Sequence, residues 1–219
     1  MEESKLDNFQ QKSKAGSLLL RKQQTKLKKC NEVVPHTYSA DGVIRFGDYV
    51  IISHDKTNTV LACDPFEEVI FGTSRFLTTT FASGSLTEAK ARYTFRICRP
   101  PSSQVAAEDN ELDPVLRIGQ AFCLACNESL LVQDGADILN QTLFLNSTKK
   151  NDRDATKTTN RQLVYMSPDN GPESVWFVTK PSKGKTNAID RYLSVGQPAT
   201  VDDALQITHR QARMNSNIY

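Results

Sequence analysis

The residues that could do chemistry are few and poorly placed for it. Cys123-Leu124-Ala125-Cys126 is a C-x-x-C, a spacing used for zinc and for thiol–disulfide exchange. No second pair and no nearby histidine supplies a third and fourth ligand. On a strand, residues three apart point to opposite faces, so the two thiols are expected to pack rather than to bind. His54 and His209 follow similar strands and read as turn-facing; His36 stands alone. Glu67 and Glu68 are adjacent carboxylates in a stretch that reads as loop, with nothing to raise a pKa. The chain carries no Gly-x-Ser-x-Gly elbow, His-Glu-x-x-His, Walker loop or dinucleotide fingerprint. The reading is of a protein that is not an enzyme, with no catalytic residue, no cofactor and no metal.

The elements around these residues fall into two parts. Residues 3–32 are rich in Gln, Lys and Leu and read as a helix, with Leu6, Phe9, Leu20 and Leu27 spaced for one face. Gly16 is a natural break and Pro35 follows the expected end. From Asp41 onward β-branched and aromatic runs between Asp-Gly, Asn and Pro signal short strands, as in Val43–Ile52 and Tyr93–Cys98. Residues 64–90, 101–113 and 149–160 read as irregular. The domains expected are thus a helical arm over 1–34 and a strand-rich body over 41–219.

Charge divides the chain at the same place. Residues 1–30 hold eight basic and three acidic side chains, a net +5, against −3 for the rest. A basic arm on a mildly acidic body suits a negative partner surface, and Arg21, Lys22, Lys26, Lys28 and Lys29 are the candidate contacts. The arm lacks the interleaved aromatics of a single-strand nucleic-acid binder, so nucleic acid is not expected. The longest apolar run near the start is Leu18-Leu19-Leu20, too short to span a bilayer or to serve as a signal-peptide core, so neither a membrane nor a secretory route is expected. The sequon matches at Asn127, Asn140 and Asn146 are then accidental. Five cysteines without framework spacing fit a reducing compartment.

The body repeats itself. Ile44-Arg45-Phe46-Gly47-Asp48-Tyr49-Val50-Ile51-Ile52 aligns without gaps on Leu116-Arg117-Ile118-Gly119-Gln120-Ala121-Phe122-Cys123-Leu124. Asp203-Ala204-Leu205-Gln206-Ile207-Thr208-His209 aligns on Asp48–His54. Thr59–Cys63 and Ser129–Val132 read as second strands. A closing strand also recurs, with Phe95, Ile97, Arg99 and Pro100 matching Trp176, Val178, Lys180 and Pro181. Copies anchored at 48, 120 and 203, with repeats starting near 44, 116 and 203, predict a mainly β, β-trefoil-like barrel of three units. Ile44, Phe46, Val50, Ile52, Leu116, Ile118, Phe122, Leu124, Leu205 and Ile207 should line its core. Only the first strand of the third copy is recognisable, so that repeat reads as incomplete, either truncated or completed by another chain.

The blocks Gly16–Leu20, Lys26–Lys28 and Asp41–Val50, then Leu116–Leu124, then Gly196-Gln197-Pro198 with Ala204–His209, together resemble the cilia- and flagella-associated protein 161 family. The resemblance covers about residues 5–63, 92–147 and 161–212. It implies a structural microtubule inner protein of the ciliary or flagellar axoneme. Such a protein sits in the lumen of the doublet A-tubule, with tubulin and other microtubule inner proteins as partners. The alternative is a soluble lectin-like or ligand-binding trefoil. Against it, the chain has one tryptophan, Trp176, and no Gln-x-Trp repeat.

Overall fold

The computed structural model describes residues 2–14, 19–54, 56–82, 88–101, 113–133, 136–137, 141–148, 162–181 and 186–210. The stretches 102–112 and 149–160, expected as loops, lie outside the described residues.

The arm forms two helices, α1 (Glu2–Lys14) and α2 (Leu19–Cys30). Lys28 and Lys29 occupy the last turn of α2, where cations meet the partial negative charge of the free carbonyls. Asn31 closes the helix, donating both its backbone N–H (3.0 Å) and its side-chain amide (2.9 Å) to the carbonyl of Leu27. A helical arm distinct from the body would place residues 5–32 outside the core, yet the end of the arm enters it. Cys30 and Val34 are buried in the main core cluster, because the chain must turn into the body there.

The body is mainly β, and its strand pairings are antiparallel. One path runs β1 (Tyr49–Ile51), β5 (Thr94–Cys98), β6 (Ala121–Cys126), β11 (Trp176–Thr179), β12 (Gln206–His209). A second runs β2 (Ser53–His54), β3 (Thr59–Ile70), β4 (Arg75–Ala82), β10 (Val164–Ser167), β9 (Phe144–Ser147). The two join where Ala125 of β6 faces Phe144 of β9. The pair β7 (Val132–Gln133) and β8 (Ala136–Asp137) stands apart. A helix, α3 (Thr186–Leu193), follows β11.

Two sequence expectations need correction, and one element was not anticipated. The stretch expected to be irregular over 64–90 is regular up to Ala82: β3 and β4 form a long hairpin there, with register shifts between Asp64 and Ile70. Val69-Ile70-Phe71 and Arg75–Phe81 are rich enough in β-branched and aromatic residues to extend, and Gly72, at φ 76°, allows the turn. Glu67 and Glu68 therefore lie on a strand, and Glu68 accepts from the turn N–H groups of Gly72 (2.8 Å) and Ser74 (3.3 Å). The stretch Ser129–Val132 is mostly a one-turn helix, Glu128–Leu131, started by the Asn127 side chain accepting from the N–H of Ser129 (3.0 Å). The 186–193 segment is helical, which Ile189, Tyr192 and Leu193 at i, i+3 and i+4 could have signalled.

The three copies meet in a closed ring of backbone hydrogen bonds. Ile44 N–H donates to Ala199, Ala199 N–H to Leu116, and Leu116 N–H to Ile44, each at 2.9 Å. The turn after each member is built alike: Asp48, Gln120 and Asp203 donate their N–H to Arg45, Arg117 and Thr200. The side chains return the contact, Asp48 accepting from Arg45 N–H (2.6 Å), Gln120 from Arg117 N–H (2.9 Å) and Asp203 from the Thr200 hydroxyl (3.0 Å). The repeated Asp thus organises a turn. Gly47 and Gly119 take φ of 97° and 90° in the first two copies, a conformation that a Cβ penalises.

The core follows the repeat. Leu116, Ile118, Phe122 and Leu124 are buried, while Ile44, Phe46, Val50, Ile52, Leu205 and Ile207 are half-buried against the same cluster. Among the ten positions expected in the core, none is exposed.

Candidate functional site

The surface that combines apolar and basic side chains is α2 with its docking on the body. Leu20 (73% exposed) and Leu27 (54%) are seven residues apart, so they share one stripe of the helix. Arg21 and Lys28, also seven apart and exposed, form the adjacent stripe. Leu19 and Lys22 are exposed as well.

The opposite side is spent on the body. The Lys26 ammonium lies 2.7 Å from Asp64 and 3.7 Å from Glu67. Burial alone would push the Lys26 pKa down, but the hydrogen bond and charge of Asp64, with Glu67 behind it, hold it raised. Lys29 pairs with Glu32 at 2.8 Å, one turn on. Of the five candidate cations, Lys26 and Lys29 pair with acids of the chain; Arg21, Lys22 and Lys28 are exposed. Sequence reasoning could not separate them, since Asp64 lies far along the chain from Lys26.

The other candidates resolve structurally. Cys123 belongs to a small cluster with Ala121 and Val175, and Cys126 to the main core, as opposite faces of β6 require. Burial pushes their thiols up to about 11 and about 12. No group of three metal-ligating side chains is found among the described residues. The two repeat-equivalent histidines differ: His54 is exposed on β2, whereas His209 is buried at the end of β12. The His209 ring packs edge-on to Trp176 at 4.8 Å and its Nε2 lies 2.9 Å from the carbonyl of Glu173. Burial lowers its pKa, the Glu173 carbonyl opposing that. Trp176 is buried and its indole N–H donates to the carbonyl of Leu145 at 2.8 Å. His36 is exposed.

A repeated ion pair escaped the sequence reading. Asp41–Arg45 (2.6 Å) and Asp113–Arg117 (2.7 Å) are 72 residues apart and alike in detail. Each Asp also accepts from the N–H two residues on, Val43 (3.1 Å) and Val115 (3.0 Å). The Asp-x-x-x-Arg spacing was visible as the signal. The Arg45 contact, with Ser39 and Val43, holds Asp41 well below the usual carboxylate range; the Val115 N–H, then Arg117, lower Asp113.

The fold defines a mainly β protein with a helical arm. Neither a protein-family profile nor a curated protein sequence matches the chain. Among solved structures it is similar to the SDF2-like protein from Arabidopsis thaliana, at 16% identity and a TM-score of 0.44. That likeness covers 67% of this chain and 66% of the other, just under two thirds of its length. The reading of function therefore rests on the chain's own residues.

Proposed function

We propose that this protein is a structural microtubule inner protein, with a β-trefoil-like body and a helical arm that docks on tubulin at the luminal face of the doublet A-tubule. Its role there is to stabilise the axoneme beside other microtubule inner proteins. The observation that carries the reading is the outer face of α2, an exposed leucine stripe next to a basic stripe, fixed to the body by Cys30 and Lys26. The ordered sequence blocks resembling the cilia- and flagella-associated protein 161 family supply the identity of the partner. The ring joining Ile44, Leu116 and Ala199 supports the three-unit body. Exposed ion pairs contribute only about 0–1 kcal/mol each. A leucine moved from water into a contact contributes about 1.5–3 kcal/mol. The leucines anchor, and the cations tune orientation and salt dependence. The lectin-like alternative loses its one candidate platform, because Trp176 is core and its N–H is committed to Leu145.

The test is reconstitution onto doublet microtubules depleted of the protein, read as occupancy by quantitative mass spectrometry. Leu20→Glu with Leu27→Glu should lower occupancy more than tenfold, and Lys22→Glu with Lys28→Glu should lower it less and in a salt-dependent way. Both pairs are exposed, so the body should stay folded by circular dichroism. Deleting residues 1–32 is a poorer test, because it removes Cys30 from the core. Unchanged occupancy of the folded double-leucine variant refutes the docking-arm reading.

A further inference from the structure

We propose that Thr25 is a phosphorylation site for a kinase that selects basic residues ahead of its target, and that the phosphate switches off the basic face of α2. The site stands on the residues of α2; the switch rests on the docking-arm reading. Thr25 is exposed, and α2 carries five basic side chains and no acidic one. Arg21 and Lys22 lie four and three residues before Thr25, and Lys28 and Lys29 three and four after it. On a helix these are the four positions that adjoin a residue along the surface. No other Ser or Thr of the sequence has basic residues both four and three places before it. Other exposed hydroxyls are set differently. That of Thr57 lies 2.7 Å from His54 Nδ1 and 2.8 Å from the Thr59 hydroxyl. That of Thr73 donates to the carbonyl of Ile70 at 2.6 Å, in a turn closed by Glu68.

The local structure leaves this segment open to an enzyme. Every residue from Leu19 to Thr25 is exposed, and Lys26, paired with Asp64, is the first of α2 that is not. A helix as short as α2 is marginal without tertiary packing. Its start can therefore unwind as far as Thr25 while Lys26 and Cys30 hold the rest on the body. In the extended segment, Arg21 and Lys22 meet an acidic groove of the kinase, the kind of charge pattern by which kinases choose substrates. The Thr25 Oγ then attacks the terminal phosphorus of ATP. The bond from that phosphorus to the bridging oxygen breaks, and ADP leaves with the electron pair. The hydroxyl proton passes to a carboxylate of the kinase.

The consequence follows from charge. A phosphate ester adds about −1.5 to −2. Lys26 and Lys29 already pair with Asp64 and Glu32, so the exposed cations it meets are Arg21, Lys22 and Lys28. An anion one turn before a lysine is the favoured order on a helix, so Lys28 folds onto the phosphate. Most of the charge of these three side chains is cancelled, and a negative partner surface meets a nearly neutral face. The leucine stripe is unchanged, so binding weakens without being abolished.

The full chain is incubated with Mg-ATP and the catalytic subunit of cyclic-AMP-dependent protein kinase, and phosphate is mapped by mass spectrometry. Thr25 should be modified, and Arg21→Gln with Lys22→Gln should slow its modification more than about tenfold. Casein kinase 2, which selects acidic surroundings, should leave Thr25 bare. In the phosphorylated chain, phosphorus NMR should place the second phosphate pKa below its ordinary value of about 6, and Lys28→Gln should raise it. Apparent affinity for depleted doublets should fall about 3–10-fold at low salt, and phosphatase treatment should restore it. An unmodified Thr25, a rate indifferent to Arg21 and Lys22, or a phosphate pKa at or above about 6 overturns the proposal. Equal binding of the phosphorylated and unmodified chains overturns the switch and leaves the docking arm standing. Failure of the unmodified chain to bind overturns the docking reading, and the switch with it.

Discussion

Replacing Lys26 with methionine tests how the arm is held. The substitution keeps most of the side-chain volume and removes the ammonium 2.7 Å from Asp64. The Asp64 side chain is only 9% exposed, and Lys26 is 28% exposed. After the change, Asp64 keeps the Phe66 N–H at 3.0 Å and loses its cation. An exposed pair contributes about 0–1 kcal/mol, and breaking a fully buried one costs about 3–5 kcal/mol. A pair with one nearly buried partner should lie between, at about 1–3 kcal/mol. Urea denaturation of Lys26→Met, Asp64→Asn and the double variant isolates the coupling, expected at about 1–2 kcal/mol. At about 1.4 kcal/mol per factor of ten, amide exchange in the last turns of α2 should quicken roughly tenfold in Lys26→Met. The pH dependence has a definite sign. The Lys26 pKa is raised in the folded chain, so its contribution is complete below the ordinary lysine value of 10.5 and is lost as pH climbs through the higher folded value. A coupling under about 0.3 kcal/mol, with unchanged exchange in α2, would refute this account and leave Cys30 and Val34 as the anchors.

Trp176→Phe should destabilise the body by about 1–3 kcal/mol in denaturant titration, because the buried Leu145 carbonyl loses its donor; a change below about 0.5 kcal/mol would mean that this carbonyl finds another partner. His209 is held below its ordinary 6.5 by burial, so the unfolded chain binds its proton more readily. Its contribution should be complete above about pH 6.5 and fall as pH drops through the lower folded value. His209→Gln should flatten the stability curve over that window, and an unaltered slope between pH 5 and 7 would exclude His209 as its source.

Much of the architecture was legible in the order of residues. The offsets relating Asp48, Gln120 and Asp203 announced three turns of like build, because each is closed by a polar side chain that accepts from the residue three before it. Phe95 with Ile97 and Trp176 with Val178 marked two equivalent strands, since period-two burial leaves a local pattern. The composition of the arm and Gly16 indicated a divided helix, and two helices flank that position. Other features were decided by tertiary structure, because they depend on partners far apart in the chain. The ring of Ile44, Leu116 and Ala199 joins backbone groups that no local propensity pairs. The register shifts between Asp64 and Ile70 let the hairpin continue past Pro65, where a linear reading stops. Which lysines of α2 face outward followed from where the fold places Asp64 and Glu67, since a charge pattern alone does not distinguish a lysine bound to its own body from one left for a partner.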